Sequence, residues 1–108
     1  MLDKPLLIEG TWRSPSGNRT AEVKNPATGQ VIAQLPICER ADLDAALDAA
    51  AKGFEIWRKM TALERYRILL RAAAIVRERA EVIAQHMVRE QGKPLAEARG
   101  EANAAPEH

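Results

Sequence analysis

Few side chains in this 108-residue sequence have the chemistry for catalysis, and they are scattered. Cys38 is the only thiol. A helix N-terminus can favour the thiolate form of a neighbouring thiol, so a nucleophilic role is physically possible. Nothing nearby supplies a general base, however, and a lone cysteine of that kind is expected to be a small buried hydrophobe. His86 falls beside an apolar helix face and His108 is the last residue; no His-x-x-His or Cys-x-x-Cys pairing supplies zinc ligands. The glycines at 10, 17, 29, 53, 92 and 100 never approach a Gly-x-Gly-x-x-Gly spacing, so neither a dinucleotide fingerprint nor a phosphate loop is present. Glu90 is the remaining oddity. It falls in the last turn of a predicted helix, where the dipole favours cations. Two readings stand: an exposed glutamate that tolerates a small cost, or a ligand that helps hold a cation beside the helix's free carbonyls. No residue of the sequence can be assigned a catalytic role.

The elements that position these residues fall into two regions. Residues 5–36 read as a β-ribbon. Leu6–Arg13 has the composition of one strand, with Ile8, Thr11 and Trp12, and Ser14-Pro15-Ser16-Gly17-Asn18 is a turn. Arg19–Lys24 forms a second strand that runs into Asn25-Pro26-Ala27-Thr28-Gly29, where proline presets φ and Gly29 accepts a positive φ. Val31, Ala33 and Leu35 then alternate with polar residues until Pro36 closes the strand, with Ile32 interrupting the polar side. Such a ribbon is marginal alone and needs something to pack on.

Residues 39–108 read as two or three helices, about 39–58, 62–91 and 95–105. Leu43, Leu47, Ala50, Phe54 and Trp57 share one face of the first. Asp42, Asp44 and Asp48 complement its dipole. Cys38 stands where a capping Ser or Thr is expected, so this start is weakly capped. The second begins at the capping box Thr61-Ala62-Leu63-Glu64. It meets no glycine or proline before Gly92 and Pro94, which predicts a helix about 45 Å long. Tyr66, Leu69, Ala73, Val76, Ala80, Ile83 and Met87 recur along it at spacings of three and four. Ala73 and Ala80 in that seam, with Leu70, Ile75 and Val88 widening it, favour burial in a larger body over a two-stranded coiled coil. The third stretch starts near Leu95 and is interrupted at Pro106.

Composition agrees with this division. The chain is 46% hydrophobic and 29% charged, with a formal net charge of +1, as for a globular chain rather than a disordered one. Charge so nearly balanced excludes a polybasic nucleic-acid arm or an acidic tail. Aromatics make up 4%, and alanine is abundant, so the core must come from close backbone approach between helices. Leu6-Leu7-Ile8 is too short for a signal-peptide core or a membrane span. One cysteine permits no intramolecular disulfide. A cytoplasmic setting with no membrane and no nucleic acid is expected. The fold class is α+β, mostly helical, and no internal repeat is present.

The ordered segments Leu7-Ile8-Glu9-Gly10-Thr11-Trp12 and Val23-Lys24-Asn25-Pro26-Ala27-Thr28-Gly29-Gln30-Val31-Ile32 resemble the opening of aldehyde dehydrogenases. The resemblance continues through Ala41-Asp42-Leu43-Asp44-Ala45-Ala46, Phe54-x-x-Trp57 and Arg65-x-x-Ile68-Leu69. It ends in Glu90-Gln91-Gly92-Lys93-Pro94-Leu95-Ala96-Glu97-Ala98-x-Gly100-Glu101, which looks most like the succinate-semialdehyde dehydrogenase branch. It implies that residues 1–108 are a single partial domain, the N-terminal part of an α/β Rossmann-like cofactor-binding domain. Full-length members oxidise an aldehyde to the acid, using a catalytic cysteine, a general-base glutamate and NAD or NADP. The cysteine lies in a Gly-Gln-x-Cys context absent here, so Cys38 does not correspond to it. The expected role is therefore an N-terminal scaffold fragment, inactive alone and binding no cofactor by itself. Its partners would be the remainder of the dehydrogenase chain and further copies in a homo-oligomer. The alternative is a stand-alone helical oligomerisation or partner-binding module.

Several family members also hold a structural monovalent cation. Its ligands include a backbone carbonyl just before the Asn-Pro turn and an acidic side chain just before Gly-Lys-Pro. On this sequence the resemblance puts those ligands at Val23 and Glu90.

Overall fold

Glu9 and Gly10 reverse the chain almost as soon as it begins. Both have positive φ, 54° and 74°, the combination a two-residue type I′ hairpin turn requires. The stretch expected to be one strand is therefore two, β1 (Leu6–Ile8) and β2 (Thr11–Arg13), paired antiparallel with Leu7 opposite Trp12. A glutamate in this conformation is what hid the turn from the sequence pattern, because asparagine or aspartate is the usual partner of glycine there. The computed structural model describes residues 6–107; residue 5 of the expected ribbon and His108 lie outside them.

A second hairpin follows, β3 (Thr20–Lys24) with β4 (Val31–Pro36), joined by the Asn-Pro turn. Pro36 ends β4 as expected. Four helices follow among the described residues: α1 (Arg40–Trp57), α2 (Ala62–Glu78), α3 (Ala80–Gln91) and α4 (Leu95–Ala104), with a 3₁₀ turn at Ala105–Glu107. The architecture is α+β and mostly helical. The chain separates into two units. One takes in residues up to Val23 together with Ala33–Met60; the other takes in Lys24–Ile32 together with the chain from Thr61 onward.

In the first unit, α1 is capped otherwise than Cys38 suggested. Its N-cap is Glu39, and Asp42 reaches back to accept from the Glu39 N–H at 2.9 Å. Asp42 is buried, 3% exposed, and it also receives the Ser16 N–H at 3.0 and 3.1 Å and the Ser16 hydroxyl at 2.5 Å. These bonds fasten the turn between β2 and β3 to the start of α1. They also hold the Asp42 carboxyl below its ordinary pKa, the Ser16 hydroxyl contributing most. Lys52 of α1 pairs with Glu9 in the hairpin turn at 3.3 Å.

In the second unit, the long helix expected over 62–91 is broken at Arg79, whose φ of −101° and ψ of 4° are not helical. Its N–H is shared between the carbonyls of Ile75 and Val76. Neither glycine nor proline marks the break. The element that follows it packs instead on α4. Ala80, Ala84, Ala98 and Ala102 are the buried apolar residues among those described, with Ile83, Met87, Val88 and Leu95 packed around them. Methyl-sized side chains let α3 and α4 approach closely, as the alanine-rich composition implied. Across this seam Arg99 donates twice to Glu81, at 2.8 and 2.9 Å, and within α3 the Gln85 side chain donates to Glu81 at 3.0 Å. Arg99 above all, then Gln85, brings the Glu81 carboxyl down to about 2.

Candidate functional site

The residues nearest to a site are gathered where the Asn-Pro turn meets the end of α3. Asn25 makes the turn. Its side-chain oxygen accepts from the Ala27 N–H at 2.9 Å, its carbonyl from the Gly29 N–H at 2.8 Å, and its own N–H donates to the Gln30 carbonyl at 2.9 Å. Gly29 takes φ of 71° to close it. The Pro26 ring, made prominent by this geometry, lies against Gly92: a β-carbon at Gly92 would sit 2.9 Å from Pro26 Cγ.

Gly92 has φ of 72° and donates to the Val88 carbonyl at 2.9 Å, which closes α3 as the sequence predicts. Just before it, in the last turn, Glu90 is exposed beside Arg89. The side chain makes no hydrogen bond or ion pair among the described residues. Just after it, Lys93 pairs with Glu101 of α4, so the Gly-Lys-Pro segment is tied at both sides. Val23 lies in β3, half-buried, and belongs to the first unit, whereas Glu90 belongs to the second. The two motifs that carried the resemblance at either end of the chain thus touch through Pro26 and Gly92. That contact was not legible in the sequence, where the two residues are far apart.

The other chemistry-bearing residues stay isolated. Cys38 is an exposed free thiol between β4 and α1, not the buried hydrophobe expected of it. The helix start beside it is occupied by the Asp42 cap. His86 is exposed on α3, and among the described residues no group of three or more His, Cys, Asp or Glu gathers in metal-binding reach.

A dinucleotide needs backbone N–H groups presented at a helix start over a close glycine turn. The positive-φ glycines here do other work: Gly10 and Gly29 reverse hairpins and Gly92 ends a helix. The residue preceding α4, Pro94, has no N–H to offer. Among the described residues, these glycines and this helix start do not form a nicotinamide-binding turn.

Comparison with known proteins accounts for this arrangement. The chain is 41% identical over 101 residues to 3-sulfolactaldehyde dehydrogenase of Pseudomonas putida, covering 94% of this chain and 21% of that protein. It superposes on a crystal structure of an aldehyde dehydrogenase from Brucella melitensis with a TM-score of 0.91 at 41% identity, covering 97% of this chain and 22% of the other. Succinate-semialdehyde dehydrogenase from Burkholderia pseudomallei gives 0.86 at 38% identity, covering 92% and 20%. The chain therefore spans about a fifth of the length of these relatives. The family model for aldehyde dehydrogenases matches residues 12–108, which takes in both hairpins from Trp12 onward, the Pro26–Gly92 contact and all four helices: the chain belongs to the aldehyde dehydrogenase family.

Proposed function

We propose that this chain is the N-terminal scaffold of an NAD(P)-dependent aldehyde dehydrogenase, part of one larger domain, and that it performs no catalysis alone. The observation that carries this reading is its apolar surface. Leu43, Leu47, Phe54 and Ile56 of α1 are 53–69% exposed, and Tyr66, Leu69 and Leu70 of α2 are 50–59% exposed. Side chains of this kind at helical spacing normally face a partner. The remainder of the dehydrogenase is the partner this reading supplies, and assembly into a homo-oligomer accompanies it. The substrate is an aldehyde carrying an acidic group, with succinate semialdehyde the first to try; the Gly-Lys-Pro segment and the similarity to semialdehyde and sulfolactaldehyde enzymes support that class. A cytoplasmic location suits the exposed free thiol of Cys38. Among the described residues no helix is long and apolar enough to cross a membrane.

The experiment is to isolate the native gene product with an antibody against this segment, weigh it, and assay it. A species several times heavier than 11.9 kDa that oxidises succinate semialdehyde with NAD or NADP is the expected result. A product of 11.9 kDa would overturn the reading in favour of a stand-alone helical module.

The same reading makes the Glu90 carboxylate, in the second unit, a ligand of a structural monovalent cation. It is supported by an exposed carboxylate at the negative end of α3, where a bound cation would relieve the repulsion. Thermal unfolding of the intact enzyme should shift upward with Na⁺ or K⁺, and Glu90→Gln should abolish the shift. Indifference of the wild-type enzyme to both ions would remove the cation role and leave the scaffold role standing.

A further inference from the structure

We draw no further inference here: the strongest candidate, the apolar groove that Tyr66, Leu69, Leu70, Ala73 and Val76 of α2 form with Ala105 and Pro106, belongs to the surface the scaffold role already assigns to the rest of the enzyme, and nothing in the structure shows which segment covers it.

Discussion

Gly92 and Gly29 have nearly the same φ but different neighbours, which separates two costs. At Gly29, φ is 71° and a β-carbon would meet nothing within 4 Å, so Gly29→Ala should cost only the left-handed penalty, about 1–2 kcal/mol. At Gly92 the same penalty applies, and the new methyl must also displace Pro26. Gly92→Ala should therefore destabilise the protein more than Gly29→Ala, by a further increment on the order of 1 kcal/mol or more. Denaturant unfolding of both variants, and of Gly92→Ala combined with Pro26→Ala, measures it. Relief by the second substitution identifies the ring contact as the source; equal costs at the two glycines would show that the contact carries no energy.

At the level of elements, α3 and α4 depend on small side chains and one bidentate ion pair. Ala84 and Ala98 are fully buried, so Ala84→Leu has no void to enter and should cost about 1–3 kcal/mol through helix separation. Thermal or urea unfolding reads this directly, and an unchanged midpoint would mean that the seam is looser than its burial indicates. The ion pair has a pH signature. Because the folded Glu81 pKa is depressed from 4.5 to about 2, its contribution is present above the ordinary carboxylate range and fades as pH falls from about 4.5 towards 2. Asp42 and Glu64, both lowered by hydrogen bonds, act with the same sign. Glu81→Gln should flatten the acid side of the stability profile while leaving the neutral side parallel to wild type. A profile whose acid slope is unaltered by the substitution would contradict this assignment.

The same elements show what sequence patterning can carry. The Thr61–Glu64 box appears as expected, with the Glu64 N–H donating to Thr61 Oγ1 at 3.3 Å and the Thr61 N–H to Glu64 at 2.7 Å, because both partners lie within one turn. Gly92 closes α3 for the same local reason. The Glu9–Gly10 reversal went unseen because glutamate rarely adopts positive φ, and the break at Arg79 because no residue there resists a helix. Asp42 was legible as a dipole complement but not as the anchor of Ser16, a residue 26 positions earlier. The Pro26–Gly92 meeting was unreadable for that reason too: side-chain periodicity reports one element at a time.

On the scale of the whole molecule, burial among the described residues is concentrated in four alanines and Asp42, while many large apolar side chains meet water. Expressed by itself, the chain should self-associate and bind a hydrophobic dye such as anilinonaphthalene sulfonate. Sedimentation velocity across a concentration series tests this, and a monodisperse 11.9 kDa species that excludes the dye would contradict the scaffold role. The division of the chain has a consequence in time as well. The second unit takes Lys24–Ile32 from the early sequence and everything else from Thr61 onward. A ribosome therefore makes the Asn-Pro turn long before the helix end that Pro26 rests on. At about 5–20 residues per second, the turn waits about 3–13 s for Gly92 to be polymerised. Its internal hydrogen bonds, from Asn25 to Ala27, Gly29 and Gln30, are all local and can form at once. The turn can thus keep its shape through synthesis and be ready when its contact arrives.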